Sequence, residues 1–242
     1  MNIKIIAALS VGLFATQVSA LEISAIDKKN SAFVGAYGQI GTGYESNTAQ
    51  NSTFSATDSG QPTTNYSTNQ NPTSDGVALV LGGGYNFQID PKFLLGVGGD
   101  WSAFNNVTSG ANYTDITDAT NTATVGYKTS NRYSIFVTPS YVIDKDKLAY
   151  FKVGYTGQGV TAVDNGGATL GGSAQLSGYA LGLGYKQMIT HGIYAFGEGN
   201  YYGYSKSNFN STIANDEGGT TNLNGNPDVL SYTFLAGVGY VY

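Results

Sequence analysis

Leu230-Ser231-Tyr232-Thr233-Phe234-Leu235-Ala236-Gly237-Val238-Gly239-Tyr240-Val241-Tyr242 is the stretch that decides the fold class. Every second residue from Leu230 to Tyr242 is apolar, and Ser231, Thr233, Leu235, Gly237, Gly239 and Val241 stand between them. A period of two belongs to a strand whose faces meet different surroundings. The same alternation runs through Val77, Leu79, Leu81, Tyr85, Phe87 and Ile89, and through Phe93, Leu95, Val97, Trp101 and Ala103. Carried along the chain, it predicts eight strands near 33–46, 76–89, 93–107, 130–143, 148–161, 176–189, 193–206 and 228–242. Three connections are tight: Asp90-Pro91-Lys92, 144–147 and Thr190-His191-Gly192. They carry the Pro, Asp and Gly that turns need. Four are long, at 47–75, 108–129, 162–175 and 207–227, and rich in Asn, Thr, Ser and Gly. Their composition predicts mobile, solvated loops. Pro139, inside the fourth strand, lacks a ladder donor and predicts a bulge or strand end there.

Tight turns at one end and long loops at the other describe an up-and-down antiparallel barrel. Alternation alone leaves open whether the apolar face looks outward, to lipid, or inward, as in a soluble barrel. Three features select the outward choice. Glycines such as Gly82, Gly84, Gly96, Gly98, Gly154, Gly182, Gly184, Gly237 and Gly239 crowd the other face, which suits the narrow interior of eight strands. Aromatics bracket the apolar face: Phe87, Phe93, Tyr141, Phe151, Tyr185, Tyr240 and Tyr242 toward the turns, and Tyr44, Trp101, Tyr133, Tyr155, Tyr179, Tyr201 and Tyr232 toward the loops. Two such girdles are what a membrane–water boundary selects. Finally, Glu45, Asp100, Arg132, Lys152, Lys186 and Glu198 share the small-residue face; a basic residue facing lipid at the midplane costs about 2–4 kcal/mol. The expectation is an all-β, membrane-spanning, eight-stranded barrel with these six charges in its lumen. Closure follows because open sheet edges in lipid leave unpaired backbone groups.

Composition narrows the function classes. Of 242 residues, 34 are Gly and 11% are charged, with a formal net charge of −5. An acidic chain without a basic patch does not point to nucleic acid. The absence of cysteine removes disulfides, zinc fingers and thiol nucleophiles. At the N-terminus, Lys4, the apolar stretch Ile5 to Ala15 and Val18-Ser19-Ala20 read as a signal peptide cleaved after Ala20. The expected organisation is a signal peptide over 1–20, a flexible segment over 21–30 and the barrel over 31–242.

In its signal peptide, its eight strands, the recurring pairs Gly84-Tyr85, Gly184-Tyr185 and Gly239-Tyr240, and its terminal strand, the chain resembles the small bacterial outer-membrane β-barrels. That family includes outer-membrane protein A, outer-membrane protein X and the opacity-type adhesins. The resemblance implies residence in the Gram-negative outer membrane, short periplasmic turns and long extracellular loops. Outer-membrane lipid, lipopolysaccharide and the barrel-assembly machinery are the implied partners. The alternating residues Phe234, Val238, Tyr240 and Tyr242 resemble the family's assembly signal, although Phe is commoner than Tyr at the last position.

The residues offer little catalytic chemistry. His191 is the only histidine and lies in a tight turn, so no Ser-His-Asp triad, transition-metal site or cofactor site is expected. Asp115, Asp118, Asp216 and Glu217 are candidates for paired carboxylates, but their loop positions favour solubility instead. Lys186, Lys152, Glu198 and Asp100 fall in the lower half of the barrel and are expected to form an ion-pair network obstructing it, as the resemblance to outer-membrane protein A implies; Glu45 and Arg132 fall near the loop rim. The expected role is non-catalytic, supporting envelope integrity or surface interaction. The alternatives are a narrow porin-like channel and an adhesin whose four acidic loops take a surface ligand.

Overall fold

The computed structural model describes residues 31–50, 53–68, 70–104, 106–107, 110–164, 169–205, 209–214, 218–225 and 228–242. The expected signal peptide and the segment 21–30 lie outside the described residues, as do Asp216 and Glu217. Eight strands form the barrel wall: β1 (Gly35–Gln50), β4 (Thr73–Asp90), β5 (Phe93–Ser102), β8 (Thr122–Asp144), β9 (Lys147–Val163), β10 (Thr169–Met188), β11 (Ile193–Tyr204) and β14 (Asp228–Val241). Each pairs antiparallel with the next in this series. The ring closes where β14 meets β1, from Tyr37 opposite Val241 to Gln50 opposite Asp228. No wall strand therefore offers an unpaired edge to lipid.

Several wall strands are longer than their periodicity predicted. β8 has 23 residues, whereas a tilted strand crosses a bilayer in roughly 9–11. The surplus rises beyond the membrane and meets six short strands in the long connections: β2 (Thr53–Asp58), β3 (Thr64–Ser67), β6 (Asn106–Val107), β7 (Ala111–Asp115), β12 (Phe209–Ala214) and β13 (Thr220–Gly225). They pair in the order β12-β13-β2-β3-β7-β8, a sheet standing on the rim. This corrects the expectation of purely solvated loops. Tyr113, Tyr127, Val160, Leu176, Tyr202, Tyr204 and Val229 are buried together beneath this crown, with Phe54 and Tyr66 packed against them. The Tyr113 and Tyr127 hydroxyls lie 3.1 Å apart. Sparse aromatics such as Phe54, Tyr66 and Tyr113 suffice because the extended β8, β9 and β10 supply the other wall of the core.

β8 reaches both regions through a bulge. Its register to β9 shifts between Ser130 and Tyr133, and Asn131 there adopts φ 51°, a left-handed conformation that asparagine tolerates better than branched residues. The extra residue re-phases the strand. Arg132, Ser134, Thr138 and Ser140 are buried on the inner face below it, Thr129 and Tyr127 above it. Pro139 departs from expectation: it pairs with Leu95 of β5 inside β8, without a register shift. The ladder to β9 simply skips from Val137–Val153 to Ser140–Tyr150, accommodating the missing donor.

Tyr113→Ala is expected to remove roughly 3 kcal/mol of crown packing while the barrel survives. The check is limited proteolysis of detergent-folded protein: new cleavage within 53–67 and 111–125, with the gel-mobility difference between boiled and unboiled samples retained.

Candidate functional site

The lumen holds most of the charged side chains that the sequence singles out, and its contents form successive layers. At the short-turn end, Phe33, Leu94, Val142, Leu148, Tyr194 and Val241 are buried as an apolar plug. Alternation alone did not reveal this plug, because these residues sit on the face predicted to be small or polar.

Above it, Lys186 is 5% exposed and its Nζ stands 4.2 Å from the Tyr37 ring centre, 4.9 Å from Tyr194 and 5.2 Å from Tyr150. Three ring faces supply the negative quadrupole that attracts a cation. Among the described residues, no carboxylate lies within ion-pair distance of Lys186, so it stands outside the network proposed for it. The other three members meet. Lys152 Nζ lies 2.6 Å from Asp100 Oδ2 and 3.0 Å from Glu198 Oε1, with the Phe136 ring 4.3 Å away. Glu198 also accepts from the Tyr150 hydroxyl at 2.6 Å and from Asn200 Nδ2 at 2.9 Å.

Two glycines make this assembly feasible. Gly184 pairs with Tyr150 on one side and Glu198 on the other. A methyl group on Gly184 overlaps the Tyr150 ring, and one on Gly182 overlaps the Asn200 amide. The bare backbone thus lets Tyr150 lie across β10 and reach Glu198. The inward glycines, read from sequence as space for a narrow interior, are met by groups from neighbouring strands, by rings at Gly184 and Gly239 and by polar side chains at Gly96 and Gly182.

Near the loop rim Arg132 Nη1 lies 2.9 Å from Glu45 Oε2, both side chains nearly fully buried. The guanidinium sits 4.2 Å from the Tyr202 ring centre. Glu45 Oε1 accepts from Asn47 and Asn106, each at 3.0 Å. Unpaired, either charge would carry a penalty of several kcal/mol; here each faces its counter-charge.

Outside, the girdle residues Tyr44, Phe87, Phe93, Trp101, Tyr133, Tyr141, Phe151, Tyr155, Tyr179, Tyr185, Tyr201, Tyr240 and Tyr242 are exposed around the wall, with Ile135, Leu183, Phe234 and Val238. Tyr232 is half-buried, its ring 6.0 Å from both Tyr44 and Phe234. In β14, Phe234, Val238 and Tyr240 project outward from the closing strand.

His191 is exposed in the turn before β11. The Asp115 carboxylate accepts from the Thr117 backbone and hydroxyl, both at 2.8 Å, and Asp118 accepts likewise from Thr120. Donation from the Thr117 amide, then its hydroxyl, holds Asp115 below the usual carboxylate range; the Thr120 hydroxyl, then its amide, does so for Asp118. A proton-sharing acid pair needs one carboxyl pushed upward, so these two act as turn caps.

No protein-family model matches the sequence, and no curated protein sequence does. Among solved structures, the outer membrane protein OprG from Pseudomonas aeruginosa is similar with a TM-score of 0.53 at 14% identity, covering 89% of this chain and 99% of that one. This chain has the fold of a small outer-membrane β-barrel. The outer membrane protease OmpT from Escherichia coli gives 0.47 at 11% identity, over 86% and 97% of the two chains. The attachment invasion locus protein Ail of Yersinia pestis gives 0.40 at 16%, over 86% and 99%. With exposed apolar girdles outside and charges inside, the wall is that of a membrane-spanning barrel.

Two outcomes follow. Lys152→Ala is expected to lower the temperature at which the folded gel form is lost, because Asp100 and Glu198 are left buried without their cation, a change worth about 3–5 kcal/mol; Gly184→Val should act similarly by expelling Tyr150. For Asp115 and Asp118 the depressed pKa places their stabilisation above the ordinary carboxylate range. It is lost as pH falls through the folded-state values. Hydrogen exchange of amides 115–121 should therefore quicken, relative to the barrel strands, between pH 5 and pH 2.

Proposed function

We propose that this protein is a non-catalytic barrel of the outer membrane that supports envelope integrity or surface interaction and conducts no solutes. One observation carries the reading: the apolar plug, the Lys186 cage, the Lys152 cluster and the Arg132–Glu45 pair occupy the lumen in sequence from the short turns to the rim, and the crown core follows above them. Inward glycines, the feature that favours a thin water path, accommodate the Tyr150 and Tyr194 rings instead. A narrow diffusion channel therefore has less support. Enzymatic activity has less support: among the described residues His191 is exposed in a turn at the end opposite the crown, and Asp115 and Asp118 cap turns.

The proposal extends to biogenesis. Residues 1–20 direct export and are removed after Ala20, residues 21–30 link to the barrel, and the outward alternation of Phe234, Val238, Tyr240 and Tyr242 is read by the barrel-assembly machinery. Lipid and lipopolysaccharide contact the girdles.

Planar-bilayer recording tests the closed lumen. The refolded protein is expected to give no single-channel steps, and Tyr150→Gly combined with Lys152→Ala should give none either, because the apolar plug and the crown core still close both ends. Reproducible steps from the unmodified protein would replace this reading with the channel.

A further inference from the structure

The crown carries a pocket that neither the closed lumen nor the membrane wall explains. It has a volume of about 550 Å³, within the range of small-ligand sites. Its walls bring together β2, β3, β12 and β13. Register aligns Asn210 with Asn224, Asn224 with Ser55 and Ser55 with Asn65, so four strands contribute one transverse polar row. Neighbouring strands lie about 4.8 Å apart, a spacing close to the length of one pyranose unit. The three asparagines are exposed. Ile116, 63% exposed, adds an apolar surface at the end of the row; its amide donates to the Asn65 carbonyl at 3.0 Å, which fixes its place.

The backing is rigid. Phe54, next to Ser55, and Tyr66, next to Asn65, also line the pocket; they stack with ring centres 4.6 Å apart, and Phe54 meets Tyr113 edge-on at 5.0 Å. Both are packed against the crown core. The polar row is thus presented by ordered strands, and ordering before binding reduces its entropic cost.

The lining chemistry narrows the ligand. An amide side chain offers donor and acceptor side by side, matching a pair of neighbouring hydroxyls on a sugar ring, and an aliphatic side chain packs against a ring's C–H face. No charged residue lines the pocket. Around it, the described crown carries Asp58, Asp115 and Asp118, and the base Lys128 lies on β8, outside the lining, so a sulfated or carboxylated chain meets like charge. A peptide strand has less to use, because Asn224, Ser55 and Asn65 lie on strands paired on both sides, which leaves it the β12 edge alone. We infer that the row Asn210–Asn224–Ser55–Asn65 with Ile116 is a binding site for an uncharged oligosaccharide at the cell surface. This goes beyond the closed-barrel reading and does not depend on it.

The full chain, refolded in a detergent without a sugar headgroup, is probed on an array of uncharged gluco-, galacto-, manno- and N-acetylglucosamine oligomers. Heparin fragments form the anionic arm and casein peptides the peptide arm. At least one uncharged oligomer should be retained, with affinity falling tenfold or more in Asn65→Ala combined with Asn224→Ala and unchanged in Lys128→Ala. Folding is checked by the gel-mobility difference; if the double variant fails it, Asn224→Thr, suited to a strand, takes its place under the same criterion. Retention of no uncharged oligomer, retention of heparin or peptide alone, or a smaller loss in the folded variant overturns the assignment. Bilayer conductance is read separately, so failure here leaves the closed lumen standing.

Discussion

Hydrocarbon offers no partner to a backbone amide or carbonyl, and that single fact organises the molecule. Each wall strand must be paired on both sides, so the first, β1, must find the last, β14. Closing eight strands leaves a cylinder so narrow that the side chains themselves decide whether it is open. Once Leu81, Val97 and Phe234 are committed to lipid, strict alternation sends their neighbours inward whatever their polarity. The interior is therefore a packing problem set by the exterior.

The solution is a mixture of volume and charge. Large rings from one strand fall on glycine of the next, as Tyr150 does on Gly184, and the same gap lets the Tyr150 hydroxyl reach Glu198. Lys152 and Arg132 each meet a carboxylate, while Lys186 meets three aromatic faces. Charge inside such a barrel is tolerable because each group has been given a counterpart. The arrangement also explains why glycine is abundant on the inward face: its space is used by a neighbour.

Period-two alternation made the barrel legible from sequence, and the tight turns set its strand order. The layout of charges was legible as a face, since Asp100, Lys152 and Glu198 fall in the same phase. Their partners were not. Lys186 and Lys152 look alike in sequence, and only the register across Gly184 separates a caged lysine from a paired one. The crown was hidden for a different reason. Phe54, Tyr66 and Tyr113 are too few and too scattered among Asn and Thr to signal a core, and the strands that complete it belong to the wall below. The bulge at Asn131 adds to this, because it reverses the phase of β8 and breaks the very pattern by which strands are found.

The crown and the lumen bear on function together. On the closed-lumen proposal, the outward-facing surface is the place where specificity resides. That surface is built on a packed core, and its strands present a row of neutral amides within an acidic surround. A solvated fringe needs neither buried tyrosines nor strands in register, since charge and entropy alone keep it extended. Ordering residues 53–67, 111–125, 209–214 and 218–225 carries a conformational entropy penalty on the order of 1–2 kcal/mol per residue, which the strand pairing of the crown and its Tyr113, Tyr127 and Leu176 core oppose together. A chain that orders its outermost segments in this way holds a particular surface toward the medium, and the chemistry of that surface is that of hydroxyl recognition.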